Sequence, residues 1–303
     1  MTDSAPVAPQ PASRAADVID GKATAATIRN ELRELVAKLG ENGVRPGLAV
    51  ALVGEDPASA VYVGGKIKAC KEIGIRSIEA RLPAETTTAE LLALLDDWNA
   101  DDEIDGILVQ LPLPRGIDTQ AVVERIMPAK DVDGFGADNL GRLAQGKPRL
   151  VACTPWGVME LLKRWGEPLG WSPAGKRAVV IGRSITVGRP MALLLLGADA
   201  TVTICHSKTP DLASVVRQGE IIVAAAGQPH LVKGDWVQPG AVVIDVGIHR
   251  GADGKLTGDV EFATASQRAR AITPVPGGVG PMTIAMLMAN TVSACRQRRG
   301  LGV

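Results

Sequence analysis

A strand, a turn and a helix follow one another in residues 48–74: Leu48-Ala-Val-Ala-Leu-Val53, then Gly54-Glu-Asp-Pro57, then Ser59-Ala-Val-Tyr-Val-Gly-Gly-Lys-Ile-Lys-Ala-Cys-Lys-Glu-Ile-Gly74. The first run is wholly apolar, which predicts a buried strand. In the last run Ser59 suits the N-cap of a helix, and Gly74 suits the position just after its end. A buried strand that leads into a helix is typical of α/β proteins with a parallel sheet.

One lysine of the predicted helix lies on its apolar face. At about 100° per residue, Lys66 falls one turn from Tyr62, whereas Lys68 and Lys71 point to water. The other residues of this face are Ala69, Ile73, Cys70, Val63 and Ile67. Loss of hydration penalises the charged form of an amine, which suits it to proton transfer. The alternative is a lysine whose stem packs on the core while its head reaches solvent.

The composition excludes several classes of function. Lysine plus arginine and aspartate plus glutamate both total 33 in 303 residues, so a general surface for nucleic acid or anionic membrane is not indicated. No apolar run approaches the roughly 18 residues that span a bilayer. The four scattered cysteines suggest reduced thiols in a cytoplasmic protein. With three histidines and no H-E-x-x-H motif, no metal site is expected. Residues 1–16 lack both periodicity and signal-peptide features, and we expect a disordered tail there.

Strands and helices alternate through the first half, with helices expected at 21–39, 88–99 and 119–126 and strands at 75–82 and 104–110. Prolines in Leu111-Pro-Leu-Pro114 end the last of these strands at Gln110. Ligands of open α/β sheets bind beyond the carboxyl ends of the strands. Gln110 is therefore expected to meet a ligand or to hold the Lys66 amine, the alternative being a glutamine that only stabilises the turn.

The segment Lys130-Asp-Val-Asp-Gly-Phe135 carries two aspartates beside a glycine. Taken alone, such a segment is typical of a solvated turn. Asp133 could instead accept hydrogen bonds from an amino-pyrimidine edge, because a carboxylate matches paired N–H donors.

A second unit begins near Cys153-Thr-Pro155, where Thr154 suits the N-cap of a helix that runs through Arg164. A strand at 176–181 then leads into Gly182-Arg-Ser-Ile-Thr-Val-Gly188. A strand, a glycine-bearing turn and a helix form the usual site for a pyrophosphate. The spacing departs from G-x-G-x-x-G, so an ordinary βα turn remains the alternative.

The next strand, 200–205, ends at His206-Ser-Lys-Thr209 with no acid to bind a ribose 2′-hydroxyl. Together with Arg183, this predicts NADP rather than NAD. Strands at 221–225 and 242–246 and a short one at 271–273 follow. The loop Pro274-Val-Pro-Gly-Gly-Val-Gly-Pro281 is expected to present backbone N–H groups before a helix at 282–296, with a passive turn as the alternative.

Several of these blocks, in this order, resemble the bifunctional methylenetetrahydrofolate dehydrogenase/cyclohydrolase family over about residues 17–297. They are Tyr62–Lys66, Asp105–Pro114, Lys130–Phe135, Cys153–Pro155, Gly182–Ser184 with Val187-Gly188, Cys205–Thr209, Asp245–Ile248 and Pro274–Thr283. Departures are Ala152 in place of a proline and the pliable pair Gly64-Gly65, both expected to affect packing.

The resemblance implies two βαβ-type domains with a cleft between them. A folate-binding catalytic domain would comprise residues 17–150 joined by the C-terminal helix 282–303, and an NADP-binding Rossmann-like domain residues 151–281. By resemblance Lys66 is the catalytic lysine, Gln110 its partner, Tyr62 packs along the folate and Asp133 holds the pterin. The other implied ligand-binding residues are Gly182, Arg183, Ser184, Ser207 and Ile248 for the cofactor and Pro276, Gly277 and Gly278 for the cleft wall.

The function implied is NADP-dependent oxidation of 5,10-methylenetetrahydrofolate to the 5,10-methenyl cation, followed by hydrolysis to 10-formyltetrahydrofolate. A homodimer is a family expectation. One alternative is another NADP oxidoreductase of similar architecture, such as a shikimate dehydrogenase-like protein, although the first half lacks an extra basic pair for a small carboxylate. The other is a non-catalytic NADPH-binding module, which has no need of a lysine on an apolar helix face.

Overall fold

A computed structural model describes residues 15–301. Its helices are α1 Gly21–Glu41, α2 Pro57–Ile73, α3 Thr88–Ala100, α4 Thr119–Arg125, α5 Ala137–Ala144, α6 Cys153–Gly166, α7 Gly188–Gly197, α8 Leu212–Val216, α9 Phe262–Ala265 and α10 Val279–Arg298. Its strands are β1 Asp17–Val18, β2 Gly47–Val53, β3 Arg76–Leu82, β4 Gly106–Val109, β5 Arg177–Ile181, β6 Thr201–Cys205, β7 Ile221–Ala224, β8 Val242–Asp245, β9 His249–Arg250, β10 Leu256–Thr257 and β11 Ala271–Ile272.

The strands form two parallel sheets and one hairpin. The first sheet has the order β3-β2-β4, and the second has the order β1-β11-β8-β7-β5-β6. β9 and β10 pair antiparallel in a short hairpin that follows β8. The predicted class, α/β with two units of parallel sheet, is therefore confirmed. Strand β1 joins the second sheet beside β11, although the helix that follows it packs with the first half of the chain.

The main buried cluster lies between the two sheets and the long helices α1, α2, α6 and α10. All seven residues of β2 are buried, as are all four of β7 and of β8. Helix α10 packs against α1, α2 and α6. Because α10 follows the last strand of the second sheet and then covers the first half, it ties the two parts of the chain together.

Helix α2 begins earlier than the sequence suggested. Its N-cap is Asp56, whose Oδ2 accepts a hydrogen bond from the Ser59 N–H at 2.7 Å, with Pro57 in the first turn. The prediction of Ser59 as N-cap is wrong because Asp56, three residues upstream and followed by a proline, supplies a better start. Gly74 ends the helix with φ 91°, as predicted, and the helix continues unbroken through Gly64-Gly65.

Two other predicted helix starts are also wrong. Helix α6 begins at Cys153 after Ala152, and Thr154 lies inside it, where its Oγ1 is 2.9 Å from Thr283 Oγ1. Helix α10 begins at Val279 rather than Met282, because Pro281 falls in the first turn, where a missing N–H costs no hydrogen bond. Helix α1 ends at Glu41, two residues beyond the prediction.

The limits of the other predicted strands and helices lie within two residues of the prediction, whereas β1, β9, β10, α5, α8 and α9 were not predicted. Of the expected disordered tail, residues 1–14 lie outside the described part of the chain. The Ala16 N–H donates to the Ser266 carbonyl at 3.3 Å.

Candidate active site

Helix α2 and the end of β4 bring Lys66 to Gln110. Only 8 % of Lys66 is exposed, and its Nζ donates to Gln110 Oε1 at 2.9 Å. Gln110 Nε2 donates to its neighbour's carbonyl, Leu111 O, at 2.6 Å. This second bond fixes the amide so that its oxygen faces the amine. The lysine is therefore held at a defined point rather than extended into solvent.

Tyr62 lies one turn before Lys66 and does not face the core. It is 45 % exposed, so its placement among buried apolar residues is wrong. The side chain instead lines the same cleft as Lys66. Helical spacing correctly predicted that Tyr62 and Lys66 are neighbours. The helix face that they share borders this cleft as well as the core.

The loop between α4 and α5 is built around a buried carboxylate. Asp131 accepts hydrogen bonds from the backbone N–H groups of Gly134 and Gly136, at 3.0 and 2.8 Å, and from Asn139 Nδ2 at 2.9 Å. Gly134 has φ 70°, and a Cβ there would press on the backbone at Ala152. The solvated-turn interpretation of this segment is therefore wrong for Asp131. The loop is rigid where it presents Asp133.

The partly buried side chain of Asp133 lines the same cleft as Lys66. Burial raises the pKa of its carboxyl to about 6, the positive charge of Lys66 opposes that rise, and the charge of Asp131 adds to it. Asp133 and Lys66 are thus electrostatically coupled. Neighbouring Lys130 has a structural role, since its buried amine donates to the carbonyls of Trp98, Asn99 and Asp101 at the end of α3.

These side chains line one cleft of about 440 Å³, which we call the Lys66 cleft. It brings together all four residues predicted to be catalytic, namely Tyr62, Lys66, Gln110 and Asp133. Its opposite side comes from the second half of the chain, from Thr186, Val187 and Ile248.

Sequence analysis missed four hydroxyl groups of the Lys66 cleft: those of Ser59, Thr154, Thr186 and Thr283. Ser59 was assigned to a cap, yet it is almost fully buried on the cleft wall two turns before Lys66. Thr154 and Thr283 meet from helices 129 residues apart in sequence. The spacing from Ser59 to Lys66 is helical and could have been recognised, whereas the threonine pair has no local signal.

A second cavity of about 470 Å³, the Gly182 cavity, lies at the carboxyl ends of β5, β6 and β7. It is lined by four of the five residues predicted to bind the cofactor: Gly182, Arg183, Ser184 and Ser207. Gly182 has φ 133°, and a Cβ there would collide with the carbonyl oxygen of Ala225. Ser184 Oγ accepts from the N–H groups of Val187 and Gly188, which closes the turn.

The same turn borders both openings, because residues 182–184 line the cavity and residues 186–187 line the cleft. At the tip of β6 the loop is closed by the His206 N–H, which donates to Thr209 Oγ1 at 2.9 Å. No acid stands at this tip. The cavity therefore suits an anionic, phosphate-bearing group with backbone N–H donors and one arginine.

Ile248 lies apart from the other predicted cofactor residues, because it lines the Lys66 cleft rather than the Gly182 cavity. Pro276, Gly277 and Gly278 line a smaller neighbouring cavity of about 130 Å³. Ile248, Val279 and Gly280 border both that cavity and the cleft. The proline–glycine turn therefore stands behind the cleft wall at this point.

Two further findings concern residues 15–301. No helix among them is long and apolar enough to cross a membrane. They also contain no group of three or more histidine, cysteine, aspartate or glutamate side chains arranged to hold a metal ion. The four cysteines are free and buried.

A two-sheet α/β architecture, with a buried lysine in a cleft and a glycine-turn cavity beside it, defines a class of nucleotide-cofactor enzymes. Residues 19–133 match the model of the tetrahydrofolate dehydrogenase/cyclohydrolase catalytic domain, and residues 152–299 match that of the family's NAD(P)-binding domain. The chain belongs to the tetrahydrofolate dehydrogenase/cyclohydrolase family.

Individual relatives agree with this assignment. The chain is 58 % identical over 283 residues to the bifunctional protein FolD of Geotalea daltonii, which covers 93 % of this chain and 100 % of the relative. The crystal structure of the bifunctional FolD methylenetetrahydrofolate dehydrogenase/cyclohydrolase from Campylobacter jejuni superposes with a TM-score of 0.91 at 49 % identity, covering 94 % and 100 % of the two chains. A Trypanosoma brucei FolD structure, complexed with NADP cofactor and inhibitor, gives 0.88 at 43 % identity, covering 96 % and 100 %. These comparisons support the predicted methylenetetrahydrofolate dehydrogenase/cyclohydrolase and not the shikimate dehydrogenase-like alternative.

Proposed function

We propose that this protein oxidises 5,10-methylenetetrahydrofolate with NADP and hydrolyses the 5,10-methenyl product to 10-formyltetrahydrofolate, both in the Lys66 cleft. The observation that carries the proposal is the buried Lys66 amine, held 2.9 Å from Gln110 Oε1 in a cleft that adjoins the Gly182 cavity. Membership of the family supports the reaction class.

In the hydrolytic step Lys66 acts as the general base. Water adds to the cationic carbon between N5 and N10 of the folate, and one of its two protons passes to the neutral Lys66 amine. The remaining hydroxyl proton passes to N5 as the C–N5 bond breaks, so that the carbonyl forms and the formyl group stays on N10; one proton is released overall. Gln110 keeps the amine in place because its own amide is fixed by Leu111. General base catalysis by a positioned group typically contributes about 10²–10⁴-fold in rate.

Asp133 and Tyr62 are proposed to position the folate. The ionised Asp133 carboxylate accepts hydrogen bonds from the N–H donors of the pterin ring. Tyr62, more exposed than Phe135, the other aromatic side chain of the cleft, is proposed to pack along the substrate. When Lys66 carries a proton, its positive charge opposes the burial that raises the pKa of Asp133.

The Gly182 cavity fits a dinucleotide by its shape and charge. The close approach of Gly182 to Ala225 leaves room for a pyrophosphate at the turn, and Arg183 with Ser207 suits a 2′-phosphate. When bound, NADP accepts the hydride that leaves the one-carbon bridge. We assign Gly182, Arg183, Ser184 and Ser207 to the cofactor, and Ile248 to the place where the cofactor meets the cleft. Pro276, Gly277 and Gly278 support that wall.

The direct test follows absorbance of the methenyl product with NADP, with NAD and with no cofactor. We expect methenyl to form with NADP, then to decay faster than in protein-free buffer. Shikimate in place of the folate should give no NADP reduction. Absence of methenyl formation, or NADP reduction by shikimate, would contradict the proposal.

We also propose the domain limits, the cellular location and the class of ligand. We propose the domain division 17–150 with 282–303, and 151–281, with β1 crossing to the second sheet. Free, buried cysteines support a cytoplasmic location. The balanced net charge supports a small-molecule substrate rather than nucleic acid.

A homodimer is proposed through the edge of the second sheet. Strand β6 ends that sheet within the described residues, and Thr203 and Ile204 on it are exposed. Leu196 on the adjoining helix α7 is also exposed. A second copy could cover this edge. Light scattering should give twice the chain mass, and Ile204→Lys should lower it, whereas Phe262→Lys, at an exposed apolar position elsewhere, should not. A monomeric parent protein would contradict this assignment.

A further inference from the structure

We infer that Asp259 and His249 form a positioning pair that holds the cofactor side of the site in register with the Lys66 cleft. The inference rests on the proposed function, because it concerns hydride transfer between the two openings. It assigns a role to two residues that neither sequence pattern nor local motif had singled out.

Asp259 is a fully buried carboxylate with hydrogen-bond partners from two separate segments of the chain. Its Oδ2 accepts hydrogen bonds from the N–H groups of Ala226 at 2.6 Å and Gly227 at 2.9 Å, just beyond the tip of β7. Its Oδ1 lies 2.7 Å from His249 Nε2, on strand β9. A carboxylate only accepts, so the proton of this last bond belongs to the histidine.

The segments that Asp259 joins border different openings. Ala226 lines the Gly182 cavity, which is proposed to hold the cofactor. His249 follows Ile248, which lines the Lys66 cleft. One buried carboxylate therefore sets the separation between a wall of the cavity and a wall of the cleft. Hydride transfer depends strongly on such positioning, since small displacements of the reacting groups cost large factors in rate.

A second buried aspartate fixes the position of Asp259 itself. Asp245, at the end of β8, accepts from the N–H groups of Gly247, Asp259 and Val260, each at 2.9 Å. Burial raises the pKa of Asp245 to about 6, and the charge of Asp259 adds to the rise. A Cβ at Gly247 would collide with Asp259 Oδ1. The chain before Ile248 is thus packed directly onto this carboxylate.

The pair has no other evident use in the described residues. His249 is 22 % exposed in its side chain and lines neither opening, and Asp259 is not exposed at all, so neither contacts substrate. Both act through Ile248 and Ala226, which makes them positioning residues. Hydrolysis by Lys66 needs no cofactor, and it should therefore be less sensitive to the pair than dehydrogenation is.

The test compares His249→Phe, which removes the donor, with His249→Gln, whose amide N–H can replace it. For His249→Phe we expect kcat/KM for dehydrogenation to fall about tenfold, partly through a higher KM for NADP, as for loss of one charged hydrogen bond. Hydrolysis of supplied methenyltetrahydrofolate should stay within about twofold of the parent, below the size of that loss. His249→Gln should recover most of the dehydrogenase rate.

Asp105→Asn is the matched control. Asp105 is also fully buried and accepts from the Gly47 N–H at 3.0 Å and from Arg298 at 2.7 Å, yet it lines neither opening. It should lower the melting temperature while leaving the ratio of the two activities unchanged.

Two results overturn the inference. One is an unchanged ratio of activities in His249→Phe, and the other is a parallel fall of both activities that follows the loss of stability, as in the control. If the parent protein itself fails to reduce NADP with methylenetetrahydrofolate, the proposed function falls as well. If the parent is active and only the ratio fails to change, the inference alone is wrong.

Discussion

The Lys66 cleft and the Gly182 cavity are built from different parts of the polypeptide. The cleft presents reactive side chains, Lys66, Gln110 and Asp133, each held by one or two hydrogen bonds or by the charge of a neighbour. The shape of the Gly182 cavity depends on the backbone. Gly182 has a positive φ, and the turn that follows it is closed by a hydrogen bond from the Val187 N–H to Ser184 Oγ. Catalysis in the Lys66 cleft can therefore be abolished by replacing one side chain. Cofactor binding in the Gly182 cavity is instead lost when the backbone at Gly182 can no longer approach Ala225 closely.

The sharpest test of this difference is Lys66→Met. Because methionine keeps the apolar stem but has no amine, we expect cyclohydrolase activity to fall about 10²–10⁴-fold, as for loss of a general base. NADP binding, measured by fluorescence titration, should be unchanged.

Lys68→Met is the control for that variant. Lys68 lies on the same helix, but 79 % of its side chain is exposed. Its replacement should leave both activities near the parent values. Full hydrolysis in Lys66→Met would remove the lysine from the mechanism.

The opposite side of the comparison is tested by Gly182→Ala. The added methyl meets the Ala225 carbonyl at a φ that L-residues rarely adopt. We expect NADP affinity to fall at least about tenfold, as two strand tips are pushed apart, while hydrolysis of supplied methenyltetrahydrofolate persists.

Gly197→Ala serves as control for the glycine variant, since α7 ends there and nothing lies within 4 Å of the new Cβ. It should bind NADP normally. Equal losses in both glycine variants would show that the cavity does not depend on the close approach at Gly182.

A smaller effect is expected at Arg183, the one side-chain contribution of charge to the cavity wall. Arg183→Ala should lower kcat/KM with NADP about tenfold relative to NAD, because the 2′-phosphate loses a charged partner. Arg189→Ala, an exposed arginine that does not line the cavity, should not change this ratio. An unaltered cofactor preference in Arg183→Ala would place the 2′-phosphate elsewhere.

The same division explains how far sequence analysis could go. Lys66 and Tyr62 are one helical turn apart, and Gln110 lies two residues before Pro112 at the end of a strand, so local rules placed all three at one site. Strands β2 to β8 and β11 were also predicted to within two residues, whereas β1, at the edge of the second sheet, was not predicted. Asp259 could not be recognised, because its partners Ala226 and His249 are brought to it by separate strands and by a two-strand hairpin. The start of α2 was predicted wrongly because Asp56 and Ser59, three residues apart, could each cap the helix.

The mildest expected effect is a pH dependence that separates the two regions again. The Asp133 pKa of about 6 lies above that of an ordinary aspartate, so its ionised form is lost as the pH falls through 6. The KM for the folate should therefore rise about fourfold between pH 7.5 and pH 5.5, the ratio set by the fraction ionised. KM values for NADP and for the folate would be measured side by side at each pH.

Asp133→Asn decides where that dependence arises. The variant should bind the folate poorly at every pH, with no further rise below 6, because it has no carboxyl to protonate. Asp245 also titrates near 6, but it lies behind the cofactor wall and contacts Asp259. If the rise persists in Asp133→Asn and appears in the KM for NADP, the titrating group is Asp245, and the backbone-built region is the one that senses pH.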